Sequence, residues 1–255
     1  ETMGERAALI GGGELAILGE PSSAPAWFPS NDHPSDPALI EVRATVPAGV
    51  EAISTGALVS ADADDDPATA TWHWKASQPM ATYLTFLAVG QFTVEQGVAQ
   101  GRPAVYAVSE RLPQPARAVA MENLRRTPDV IAQLEKDTGP YPFTEIGGVV
   151  VSLDTWFTAL ECQTRPVYDA TLGRSERDGT FLLTHELVHQ WFGNNVRIVG
   201  WRDIVNNEGF ATFAGYRQRE ASEPGYPNRV LKRGWDGYDA GFWRPSISDP
   251  GHGNL

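Results

Sequence analysis

Along the first hundred residues the apolar positions fall in short or alternating runs, at Glu14 to Leu18, Leu39 to Val46, Thr71 to Trp74 and Tyr83 to Gln91, with Pro and Gly clusters between them. Period-two patterning bounded by turn residues predicts an antiparallel β region. The acidic stretch from Ala61 to Ala68 carries too little apolar surface to pack, so a solvated hairpin loop is expected there. It lacks the ligand spacing and central Gly of a calcium-binding EF-hand loop. After Gln91 the period changes. Between Pro115 and Asp137 the composition is helical, and Pro128 is expected to divide or kink that segment before Gly139, Pro140 and Pro142 stop it. Ile146 to Leu153 reads as a buried β-branched strand. Thr180 to Trp191 and Glu208 to Arg219 are two further helical segments, joined by an irregular stretch with Gly193, Asn194, Asn195 and Gly200. The pattern predicts an α+β chain, with a β domain giving way to an α/β domain near residues 95 to 102.

A chain of 255 residues has ample material for a buried core. Its 32 acidic against 20 basic residues give a net charge of -12, which argues against a phosphate-tracking surface and so against nucleic acid. The single cysteine, Cys162, excludes an internal disulfide framework and leaves cytoplasmic and secreted locations both open. No segment reaches the ~20 uninterrupted apolar residues of a membrane span. The first residue is Glu1 rather than Met, so a window of a longer protein is expected.

The chemistry concentrates at His185-Glu186-Leu187-Val188-His189, an H-E-x-x-H string. Helical residues four apart share a face, so both imidazoles can converge on one metal with Glu186 beside it as general base. Catalytic zinc commonly takes three protein ligands. Glu208, nineteen residues after His189 and near the start of the next helical segment, would complete a two-His, one-Glu set. Such a string arises by chance about once in a hundred chains of this length, and a pair of hydrogen-bonded core histidines would look the same locally. Phe181, Leu182, Leu183 and Val188 make the helix a buried one, where two imidazoles and a carboxylate are costly without a metal.

THELVHQWFGNNV followed by WRDIVNNEGFATF resembles the aminopeptidase N family of gluzincin metallopeptidases, which includes leukotriene hydrolase. The eighteen residues between His189 and Glu208 are the family's spacing. GEPSSAPAWFPSNDHPSD and QPMATYLTFLAVGQF are similar to the family's amino-terminal β domain. The resemblance implies a partial antiparallel β domain over residues 1–98 and a thermolysin-like α/β catalytic domain over 99–255, cut before its end. It also implies a carboxy-terminal helical domain missing from this window. The family's G-x-M-E-N signature, whose Glu holds the substrate's α-amine, has two candidates. Met121-Glu122-Asn123 is the closer literal match but lies in the helical segment, with Glu122 63 residues before His185. Thr158-Ala159-Leu160-Glu161-Cys162 follows the buried strand, with Glu161 24 residues before His185, and is the expected anchor. Glu20, nine residues before Pro29, is implied as a second amine anchor.

What the resemblance implies is a zinc aminopeptidase with one zinc per chain, held by His185, His189 and Glu208, with Glu186 as general base and Glu161 and Glu20 binding the free amino terminus of a peptide. A leukotriene-type epoxide hydrolase, a silent zinc or peptide-binding protein and an endopeptidase are the competing readings. The family's oxyanion Tyr is expected beyond Leu255, and Tyr216, Tyr226 and Tyr238 come too early for that role. Gly215 stands where the family often places a carboxylate behind the metal ligands, so either Asp203, a backbone carbonyl or water takes its place, or the metal is held less tightly. Trp156 and Phe157 are candidates for lining the first-residue pocket.

Overall fold

The most apolar strands of the chain form its central sheet. In the computed structural model, which describes residues 8–155 and 158–237, β9 (Arg102–Ser109) and β10 (Ile146–Val150) pair in parallel, and β10 pairs in parallel with β12 (Val167–Tyr168). The antiparallel strands β8 (Phe92–Ala99) and β11 (Ala159–Leu160) form the two edges, giving the order β11-β12-β10-β9-β8. Parallel strands need a crossover, and the helical segment supplies it as α1 (Ala116–Arg125) and α2 (Thr127–Thr138). The expected division falls at Arg126, and Pro128 sits in the first turn of α2, where its missing N–H forfeits no helical bond.

The sheet is buried on both faces, and period two sorts its side chains. Tyr106, Val108, Ile146 and Val150 face a core shared with α1, α2 and α3 (Glu176–Val188). Val105, Ala107, Val149 and Val167 face the opposite way, against Leu18, Ile53, Trp74 and Phe86 of the amino-terminal region. That region holds two antiparallel sheets. One has the order β1-β2-β7-β4, from β1 (Ala8–Gly11), β2 (Glu14–Ile17), β4 (Glu51–Ser54) and β7 (Leu87–Gly90). The other has the order β3-β6-β5, from β3 (Glu41–Pro47), β5 (Ala57–Ala63) and β6 (Thr69–Lys75). The acidic stretch forms the turn of the β5–β6 hairpin together with the end of β5.

The α+β architecture is therefore the expected one, with differences of extent. The run from Tyr83 to Gln91 is not one strand: Thr82–Leu84 is a 3-10 turn, buried side chain by side chain, and only Leu87–Gly90 pairs. The strand expected to Leu153 ends at Val150. The expected division between 98 and 99 falls inside the last pairs of the β8–β9 hairpin, whose residues pair from Phe92 with Ser109 to Ala99 with Arg102. It is kept as a proposed boundary between packing units that share this sheet. The last helices are α4 (Ile204–Glu220) and α5 (Tyr226–Gly237), and α3 begins and ends earlier than its apolar run suggests.

Candidate active site

The helix α3 packs against α1, α2, α4 and β11, which buries Leu183, Thr184 and Glu186 to Val188 in its second half. His189 is 1% exposed and Glu186 4%. The four-residue spacing brings the His185 and His189 rings to 4.9 Å between centroids. Glu208 arrives from the second turn of α4: its Oε2 is 3.2 Å from His185 Nε2, and its Oε1 is 3.6 Å from His189 Nε2. Ligand atoms of all three residues lie within 4.8 Å of one another. A tetrahedral zinc with bonds of about 2.0–2.1 Å spaces neighbouring ligand atoms by roughly 3.3 Å, which the two contacts straddle. Glu208 is half exposed, so the cluster opens to solvent on that side.

Glu161 follows directly on the edge strand β11 and is buried. It falls in one cluster with Glu186 and His189, and in another with Glu20 and Glu208, each within the same 4.8 Å. The structure thus brings together all six residues singled out in the sequence. Glu122 is elsewhere: it is exposed on α1 and ion-paired with Arg125 at 2.9 Å. Its neighbour Asn123 is buried and donates to the Leu172 and Ser175 carbonyls, tying α1 to the approach to α3.

Burial holds the Glu186 carboxyl well above the ordinary range, and the charges of Glu161 and Glu208 push the same way. Burial likewise raises Glu20, reinforced by Glu161, Glu208 and Glu186. Glu208 goes the other way. Burial opposes its ionisation, but the bond from His185 and the positive character of both imidazoles outweigh that and lower it. Four carboxyl groups in one enclosed cluster repel one another, and a divalent cation on the two imidazoles and Glu208 relieves that repulsion. The donor set, two nitrogens and one oxygen, suits zinc.

Several supporting residues were not singled out in the sequence. The Glu161 carbonyl accepts from Gln190 Nε2 at 3.2 Å and Asn194 Nδ2 at 2.8 Å, so the segment after α3 grips the backbone of the β11 edge. Gln190 Oε1 also accepts from the Thr164 N–H at 2.9 Å. Tyr83, buried in the 3-10 turn, directs its hydroxyl at Glu161 Oε1 from 3.5 Å. The partner that holds a histidine is Asn207, not Asp203, which sits at the head of α4: Asn207 Oδ1 lies 2.8 Å from His189 Nδ1, joined by the Phe192 carbonyl at 3.2 Å. Unusual amide density in HQWFGNN and NNEG was the available signal; for Tyr83, inside an apolar run, there was none. At Gly215 a side chain has no room, because a Cβ there would come within 2.7 Å of the Phe181 ring. Trp156, Phe157 and Tyr238 lie outside the described residues. Tyr216 and Tyr226 pack edge-on against each other on α4 and α5.

Residues 155–239 match the family model described as the peptidase family M1 domain. The chain is 31% identical to human glutamyl aminopeptidase over 205 residues, 76% of this chain and 21% of that protein. It is 30% identical to aminopeptidase A of Gloydius brevicauda, over 80% of this chain and 22% of the relative. Among solved structures it superposes with TM-score 0.77 and 27% identity on a variant of the M1 zinc metallopeptidase of Deinococcus radiodurans bound to a Tyr-Ser-Ala substrate, covering 94% of this chain and 53% of that one. The chain belongs to peptidase family M1. It spans about a fifth of the length of these curated relatives. The M1 match runs from just before β11 to the end of α5, so it contains Glu161, the H-E-x-x-H string and Glu208. Glu20 and Tyr83 come from outside it, and the superposition over 94% of the chain brings that β region into the same M1 architecture.

Proposed function

We propose that this chain carries the catalytic site of a zinc aminopeptidase that hydrolyses the amino-terminal peptide bond of peptides. The observation that carries the reading is the shared cluster: Glu161 and Glu20 adjoin the same Glu208 that stands between His185 and His189. In a peptide the α-amine lies two bonds from the first carbonyl carbon. Carboxylates that hold an ammonium beside a metal therefore select the first bond of the chain and no other. An endopeptidase has no use for such a pair.

His185, His189 and Glu208 would hold the zinc, which when bound supplies a Lewis acid that activates water and polarises the scissile carbonyl. Glu186 accepts the proton of the attacking water and delivers it to the leaving nitrogen, so that the amine departs neutral. Its buried setting suits that shuttle, because an elevated carboxyl pKa makes the protonated form accessible at the moment of transfer. Glu161 and Glu20 do position-setting work, and Glu161 is itself held by Asn207 and by the grip of Gln190 and Asn194 on its backbone.

The test is metal content by elemental analysis combined with a panel of aminoacyl anilides, free and N-acetylated, for wild type and Glu186→Gln. The expected result is about one zinc per chain, turnover of unblocked substrates only, and loss of at least ~10³-fold in kcat with zinc retained in the variant. Cleavage of acetylated substrates would make it an endopeptidase, and absence of zinc would remove the site.

A further inference from the structure

We propose that Asn207 is a positioning residue that couples the two halves of the site, setting the metal-binding tautomer of His189 and the orientation of the amine-holding Glu161 through one side-chain amide. The proposal rests on the zinc aminopeptidase reading above and extends it. Asn207 is 1% exposed, on the first turn of α4, immediately before Glu208. Its Oδ1 is 2.8 Å from His189 Nδ1 and its Nδ2 is 3.2 Å from Glu161 Oε1.

The chemistry leaves a single assignment of these atoms. A carboxylate only accepts, so the amide NH2 must face Glu161. Oδ1 therefore faces His189, and Nδ1 of that ring must donate the hydrogen between them. The Phe192 carbonyl, also an acceptor only, lies 3.2 Å from the same nitrogen and requires the same tautomer. In the neutral ring Nε2 then carries the lone pair, on the side of Glu208, as a metal ligand needs. Both bonds come from one amide plane, so a rotation that breaks one displaces the other.

The surroundings are shaped to keep it there. Gly193, with φ +122, passes so close that a Cβ would come within 2.0 Å of Asn207 Oδ1. The Tyr83 hydroxyl lies 3.5 Å from the same Glu161 Oε1, so the two donors fix one oxygen of the carboxylate. Loss of the amide would thus release the imidazole and the amine anchor together.

The experiment uses the intact protein and two readings per variant. Zinc affinity is measured by chelator competition. Amine preference is measured as the ratio of dissociation constants of the zinc-loaded protein for 3-phenylpropanoate and L-phenylalanine, which differ in the α-amine. Asn207→Ala should weaken zinc by about 10–100-fold and lower the amine preference by roughly tenfold. Asn207→Asp is nearly isosteric and keeps an acceptor for His189 while losing the donor to Glu161. It should bind zinc no more weakly than wild type and still lose amine preference, which keeps the test valid if the alanine variant fails to fold. An alanine variant with both quantities at wild-type values, or with only one of them changed, overturns the coupling, as does an aspartate variant with full amine preference. Wild type without zinc binding or without amine preference would instead overturn the aminopeptidase reading itself.

Discussion

Glu186 shows how far a neighbourhood can move a single carboxyl group. On a solvated surface it would titrate near 4.5, but burial and the charges of Glu161 and Glu208 hold its proton to a higher pH in the folded protein. A group with a raised folded pKa binds more protons folded than unfolded, so its contribution to stability is full below the unfolded value and is lost as pH rises through the folded one. The metal-free protein should therefore be progressively penalised by Glu186 above the ordinary glutamate range. Thermal unfolding in chelator at about pH 5 and about pH 8 checks this. The advantage of Glu186→Gln over wild type should be small at the lower pH and widen at the higher one, whereas a constant difference would show that the carboxyl is not shifted. This identifies the site as one that gives up stability for chemistry, since the same residue is the proposed proton shuttle.

The α3–α4 pair is the element on which the proposed metal set depends, because it carries His185 and His189 on one helix and Glu208 on the other. Its close approach rests on Gly215 facing the Phe181 ring, which itself lies 6.3 Å from the His185 ring and 5.8 Å from that of Tyr216. Gly215→Ala would gain about 1 kcal/mol in helix propensity but force a Cβ into a ring held on both sides, an overpacking cost of about 1–3 kcal/mol. The expected net result in urea unfolding is a loss of about 1 kcal/mol, relieved when Phe181→Leu is added, so that the pair is non-additive. Additive effects would mean that the helices do not meet there. The same geometry leaves no place for a carboxylate at position 215 unless Phe181 moves, and the support for a histidine comes from Asn207, one turn from the start of α4.

At the scale of the whole molecule the amino-terminal sheets are fastened to the central five-stranded sheet by a buried guanidinium. Arg165, 1% exposed, donates to the Ser54 and Gly56 carbonyls and lies over the Trp74 ring, 4.8 Å from its centroid. Burial pulls its pKa down to about 10, which still leaves it charged at neutral pH. Arg165→Ala would strand two carbonyls and open a cavity against Trp74, at a cost on the order of 3 kcal/mol or more. Arg165→Lys should recover less than half of that, because an ammonium cannot reproduce the planar fork. Denaturant unfolding measures both, and a lysine variant as stable as wild type would sink the argument. The fastening matters to the proposed function because Glu20 and Tyr83 reach the cluster from the amino-terminal side, while Glu161, His185, His189 and Glu208 come from the other.

Spacing and local chemistry were enough to read His185, Glu186, His189 and Glu208 as one group, because residues four apart on a helix share a face whatever surrounds it. Alternation and turn residues were likewise enough for β2, β3 and β6 among the amino-terminal strands and for the break at Pro128, since pleat and proline geometry act over a few residues. Family resemblance singled out Glu161 and Glu20, although neither has a local pattern that marks it apart from other acidic residues. What only the tertiary structure decided was which polar groups meet once water is excluded. Asn207 between His189 and Glu161, Gln190 and Asn194 on the Glu161 carbonyl, and Phe181 in the space at Gly215 are contacts between segments 18 to 46 residues apart in the chain. Hydrogen bonds of that range depend on how helices and sheet edges pack, and packing is set by the summed burial of the whole core rather than by any one stretch of sequence.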